Sequence, residues 1–124
     1  MVGIDIIEVE RVDTSEAFIK RIANEKEIEY IKKSGCDNLR HQRIAALFCV
    51  KEAVMKALEM GANSGVVFKD IELTHNQFGK PEIILHGKAK EKFDNDFIGR
   101  KIEVSLSHTQ TMATAIAILQ KEDA

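Results

Sequence analysis

Between Asp37 and Gly61 the apolar residues Ile44, Leu47, Phe48, Val54, Met55 and Leu58 recur at three- and four-residue intervals, the spacing of one helical face. The pattern predicts a long helix that starts at Asp37 or Asn38 and stops at Gly61, and every other element has to be arranged around its faces. At about 100° per residue, Lys51 projects into the middle of the apolar stripe. Its ammonium must snorkel to water or meet a partner. Ala46, Ala53 and Ala57 make a small-residue strip on another side, which predicts close packing there too. Glu52 and Lys56, one turn apart, are left in a gap between two buried faces, and that gap reads as a cleft.

Shorter elements flank this helix. The opening VGIDIIEV is short and rich in Ile and Val and reads as a buried strand. Asp13 or Ser15 can cap a helix carrying Ala17, Phe18 and Ile22. Asn24 with Glu27 forms a capping-box pattern for a second short helix over Ile28 and Ile31, with Gly35 suited to the left-handed residue after it. Beyond the long helix, Val66 to Thr74 and Pro81 to Leu85 flank a turn rich in Asn and Gly and read as a hairpin. Gly87 to Phe97 reads as helix, and Ile102 to Leu106 and Met112 to Leu119 as strands on either side of a polar turn at Ser107-His108-Thr109-Gln110. An N-terminal strand, helices, and then antiparallel strands define an α+β arrangement. No repeat, low-complexity tract or linker divides it, so residues 1–124 are expected to form a single domain.

Composition limits the function classes. With 44% hydrophobic residues, 31% charged residues and one Pro, the chain is expected to fold rather than remain disordered. A formal net charge of -2 supplies no field that would draw it to nucleic acid or to an anionic membrane. No segment approaches 18 apolar residues and the apolar N-terminal run is broken by Asp5, so a cytoplasmic protein is expected. Cys36 and Cys49 lack metal-site spacing and read as reduced, structural thiols.

Three features carry chemistry. Asp5 interrupts an apolar strand, where it either faces water on an alternating strand or needs a compensating partner. Glu52 and Lys56 form an i,i+4 pair, which on an exposed face would be an ordinary solvated pair worth roughly 0.3–0.5 kcal/mol. Ser107, His108 and Thr109 can each hydrogen-bond a phosphate oxygen, and His108 can also carry charge.

GIDI near the start, KEAVMKA on the long helix, GKP after the hairpin turn and SLSHT before the last strand occur in this order. Together they resemble the holo-[acyl-carrier-protein] synthase family of 4′-phosphopantetheinyl transferases, over nearly the whole chain. The resemblance implies a homotrimer with coenzyme A and Mg²⁺ in clefts between subunits, acting in lipid and fatty acid biosynthesis. It implies that Asp5 and Glu52 are the metal carboxylates. A carrier-protein serine would attack the β-phosphorus of coenzyme A and release adenosine 3′,5′-bisphosphate. Lys56 would stabilise phosphates or protonate the leaving group, and Glu52 or a metal-bound water would accept the serine proton.

Lys51 matches the motif and is open to either a structural role or a coenzyme A contact. Gly79, Lys80, Pro81, Ser107, His108 and Thr109 match coenzyme-A-contacting turns, and Arg11, Lys20 and Arg21 match positions that dock the acidic apo acyl carrier protein. The chain departs from the family pattern at Leu47, where many members have Arg; Arg43, one turn earlier, is the candidate substitute. It departs again in the loop Glu59 to Gly65. Two rival readings use the same residues: a Mg²⁺-dependent pyrophosphate hydrolase, which normally needs a denser glutamate cluster, and a non-catalytic module that binds carrier protein or nucleotide.

Overall fold

The computed structural model describes residues 1–122. In chain order it has β1 (Val2–Glu8), a 3-10 turn (Val9–Arg11), α1 (Glu16–Ile22), α2 (Glu25–Lys32), α3 (Asp37–Ala57), two further 3-10 turns (Ala62–Ser64 and Phe68–Asp70), β2 (Ile71–His75), β3 (Pro81–Leu85), α4 (Gly87–Asp96), β4 (Arg100–His108) and β5 (Met112–Lys121). The fold is α+β. One antiparallel sheet has the order β1-β5-β4, and a second consists of the β2-β3 hairpin.

The long helix lies across the three-stranded sheet. Small side chains on the facing surfaces make this possible: Ala113, Ala115 and Ala117 of β5 and Ala53 and Ala57 of α3 are all buried. Gly3 completes the contact, because a Cβ there would run into the Ala53 carbonyl and the Ala57 amide. The absent side chain is what lets β1 touch α3.

Strand alternation has the opposite sense from the buried strand that composition suggests. Val2, Ile4 and Ile6 point away from the helix and are 62%, 62% and 64% exposed. Asp5, in register with Ala115, points toward α3. A period of two cannot say which face of a sheet is covered, and here the covering helix needs the glycine side of β1.

Helix ends follow local chemistry. Ser15 caps α1 by accepting from Phe18 N at 3.2 Å, and Asn24 and Glu27 form the capping box of α2. Gly35 is not left-handed; the last carbonyls of α2 are taken by Lys33 N and by Ser34 Oγ, 2.7 Å from the Ile31 carbonyl. Nor does Gly61 end α3. The left-handed residue is Glu59, with φ 54, in a Schellman closure where Met60 N bonds the Met55 carbonyl at 2.8 Å and Glu59 N bonds Lys56 at 3.3 Å. Leu58 and Met60 are both buried, and holding both in the core places the reversal between them.

The hairpin is shorter than its sequence pattern, because residues 66 and 67 are irregular and Phe68–Asp70 form a 3-10 turn, with Asp70 Oδ2 accepting from Val67 N just before it. Its tip uses Asn76 Oδ1 to hold Phe78 N and Lys80 N, with Gly79 at φ 81. Ser107 and His108 lie within β4, paired with Thr114 and Ala113. The polar turn is therefore confined to residues 109–111, where Thr109 Oγ1 accepts from Met112 N at 3.1 Å.

Candidate functional site

Close contact between β1 and α3 brings distant residues together. Lys56 does not pair with Glu52, its helical neighbour. Its Nζ reaches across to β1, donating to Asp5 Oδ1 and to the Ile4 carbonyl at 3.0 Å each. The Asp5 side chain is 19% exposed, so it neither faces water nor lies buried unpaired. Glu52, half-buried one turn before Lys56, has its carboxyl pushed above the usual 4.5, first by burial and then by the negative charge of Asp5; Lys56 pulls it back only in part. The two carboxylates thus sense one another, and of the two the one nearby lysine bonds Asp5 alone. Beneath them, burial drives the Cys49 thiol up to about 12, with the Asp5 charge contributing, and its Sγ lies 3.5 Å from the Ala113 carbonyl.

Glu52 and Lys56 open onto a groove of about 730 Å³ whose other wall includes Arg21, Val66, Val67 and Phe68. The Arg21 guanidinium lies 5.4 Å from the Phe18 ring centroid. Lys20 and Arg11 are exposed nearby in sequence, in loose pairs with Glu16 and Glu8 at 3.8 and 3.9 Å. Such a groove, lined by two carboxylates (Glu52 and Glu59), two cations (Arg21 and Lys56) and apolar side chains, suits an anionic ligand that brings its own cation.

Lys51 has no access to this groove. It is 0% exposed, and its Nζ donates to Glu27 Oε1 at 2.9 Å, to the Ile22 carbonyl at 2.6 Å and to the Phe68 carbonyl at 3.1 Å. These bonds use all three ammonium protons, the geometry of a structural lysine. Nothing in the sequence pairs Glu27 with Lys51. Its capping role was legible; its burial and its bond from Leu73 N at 2.8 Å were not.

The remaining candidates lie elsewhere. Arg43 sits 4.2 Å from the Tyr30 ring centroid and donates to the Tyr30 carbonyl at 3.0 Å. With His108, it lines a smaller pocket of about 200 Å³ between α2, α3, β2 and β4. Leu47, buried against the same pocket, is part of the core. His108 Nδ1 is 2.8 Å from Gln42 Oε1; with the proton on Nδ1, only the imidazolium could also donate to a phosphate from Nε2. Gly79 shapes the hairpin tip, Pro81 begins β3 opposite His75, and Lys80 pairs with Glu103 at 3.3 Å. Ser107 and Thr109 are exposed. Among the described residues no group of three or more His, Cys, Asp or Glu side chains could hold a metal. No helix there is long and apolar enough to cross a membrane.

Comparison with known proteins gives one consistent result. Residues 1–115 match the profile of the 4′-phosphopantetheinyl transferase superfamily. The holo-[acyl-carrier-protein] synthase of Caldicellulosiruptor saccharolyticus is 42% identical over 125 residues, covering 98% of this chain and 97% of that protein. The structure is similar to the holo-(acyl-carrier-protein) synthase of Bacillus anthracis in complex with coenzyme A (3′,5′-ADP), with TM-score 0.79, 30% identity and coverage of 98% and 96%. It is also similar to the Neisseria meningitidis holo-[acyl-carrier-protein] synthase, with TM-score 0.84, 25% identity and 97% of each chain covered.

Proposed function

Because the chain belongs to the 4′-phosphopantetheinyl transferase superfamily, we propose that it is a holo-[acyl-carrier-protein] synthase that moves the phosphopantetheine arm of coenzyme A onto a serine of apo acyl carrier protein. The carrying observation is the meeting of Asp5, Glu52 and Lys56 from β1 and α3 at the edge of a groove.

The residues present fit a divalent cation. Asp5 already draws an ammonium to its oxygen, and Glu52 takes up a proton more readily than an ordinary carboxyl, first because it is partly buried and then because the Asp5 charge is close. Two carboxylates, with further oxygens from a diphosphate and water, suit Mg²⁺. Bound there, Mg²⁺ would neutralise pyrophosphate charge as it builds on the leaving side. Lys56 would turn from Asp5 to the phosphate oxygens and stabilise or protonate the departing adenosine 3′,5′-bisphosphate. Glu52, with its raised affinity for a proton, suits the role of acceptor for the serine proton. The serine oxygen bonds to the β-phosphorus as the bridging oxygen leaves with the adenosine bisphosphate.

Candidate coenzyme A contacts at Arg43, Gly79, Lys80, Pro81, Ser107, His108 and Thr109 are not on the wall of the groove at Glu52. A site shared between copies would reconcile the two groups, and the apolar outer face of the sheet supports such a homotrimer. Val2, Ile4, Ile6 and Ile118 are exposed there, a patch of a kind that marks association. The carrier would dock over Arg11, Lys20 and Arg21, since Arg21 also lines the groove and acidic partners favour exposed cations. Activity of this kind belongs with lipid biosynthesis in the cytoplasm.

The decisive experiment is mass spectrometry of apo carrier protein incubated with the enzyme, coenzyme A and Mg²⁺. A mass gain equal to the phosphopantetheine group is expected. Cleavage of coenzyme A with no change in the carrier would instead identify a hydrolase, and no reaction of either would leave a binding module.

A further inference from the structure

The buried ammonium of Lys51 sits at the crossing of three segments. Its acceptors belong to the last residue of α1, the first turn of α2 and the 3-10 turn before β2. Glu27 extends the link, since its second oxygen holds Leu73 N of β2. Two of the bonded carbonyls matter for the groove: Phe68 is itself on its far wall, and Ile22 follows Arg21, which is also on that wall. The near wall is α3 at Glu52, Met55 and Lys56, and Lys51 directly precedes Glu52. A chain of rings, Phe18 to Phe48 to Phe68 with centroids 5.6 Å apart at each step, also links α1, α3 and the 3-10 turn before β2. Rings fill volume without fixing distance, whereas an ammonium with three acceptors does both.

A buried ion pair adds little net stability over well-packed apolar side chains of similar volume. What Lys51 supplies and methylene groups would not is a fixed position for two backbone carbonyls. We propose that Lys51 is a positioning residue that holds the Arg21 and Phe68 wall at a set distance from Glu52 and Lys56, and thereby sets the affinity of the groove for coenzyme A. This rests on the transferase reading above.

The test compares Lys51→Met with the double variant Glu27→Gln/Lys51→Met. The single change leaves the Glu27 charge buried without its cation and so endangers the fold; the double change removes that charge as well. Thermal melts are recorded first, and KM and kcat for coenzyme A are measured well below the melting range. The expected result is a cooperative melt for the double variant and a KM raised on the order of tenfold, with kcat at saturation reduced much less. An unchanged KM in a cooperatively folded variant overturns the proposal, and so does loss of a cooperative melt in both variants, since Lys51 is then a folding residue alone. If the parent protein transfers nothing to carrier protein, the transferase reading falls and this proposal with it; a parent that is active beside a variant with parental KM refutes the positioning role only.

Discussion

The surroundings of Glu52 oppose its charge. Burial and the nearby Asp5 raise its proton affinity above the usual 4.5 in the folded chain, so the folded state holds that proton more tightly than the unfolded state does. The stabilising contribution is therefore full below about pH 4.5 and is lost as pH rises through the raised value. Glu52→Gln, which has no charge to lose, should melt higher than the parent at pH 7 without added metal. The gap should close toward pH 4.5, as thermal melts across a pH series will show, and a gap that widens in acid contradicts the assignment. In the proposed reaction the same variant, like Asp5→Ala, should lose turnover by orders of magnitude while remaining folded. Near-parental turnover in either variant would remove these carboxylates from the mechanism. The thiols differ as sharply: Cys49 is buried with its ionisation pushed up to about 12, and Cys36 is exposed. Iodoacetamide at pH 8 should add one label to the native protein and a second only in denaturant, read by intact mass.

At the scale of elements, the seam between β1 and α3 makes the site. Gly3→Ala would drive a methyl group into the α3 backbone at Ala53 and Ala57, and the strand would have to lift away, carrying Asp5 from Lys56. A loss of about 1–3 kcal/mol is expected, with a fall in activity larger than that destabilisation explains; denaturant titration alongside turnover measures both. The other end of α3 offers a change of opposite sign. Glu59 holds φ 54 with a side chain that disfavours it, at a cost of about 1–2 kcal/mol, part of which glycine returns as chain entropy. Glu59→Gly should therefore raise the melting temperature slightly. A fall would mean that the Glu59 side chain stabilises the fold through contacts that outweigh its backbone strain.

At the scale of the molecule, the exposed apolar face of the three-stranded sheet is the surface on which the proposed trimer depends. Ile4→Glu or Ile6→Lys would place charge in the middle of the exposed apolar strip formed with Val2 and Ile118. The parent is expected to sediment as a trimer and such a variant as a monomer, with transferase activity lost if the two groups of candidate residues meet only between copies. A parent that sediments as a monomer and is fully active would refute the shared site.

The long helix, the capping box, the hairpin turn and the last two strands were legible because each rests on interactions within a few residues: an i,i+4 apolar stripe, Asn24 with Glu27, Asn76 with Gly79. The motif order was legible too, and with it the family. Three things depended on contacts across tens of residues and could not be read in one dimension. Glyless β1 could not have met α3, yet a glycine before Ile4 does not reveal what it touches. Lys51 announced a need for a partner but not that Glu27, Ile22 and Phe68 would supply it. Lys56, placed by spacing beside Glu52, chose Asp5 instead. Local periodicity sets which elements form; which charges face one another is set by how those elements stack, because electrostatic and hydrogen-bond partners are chosen by distance in space.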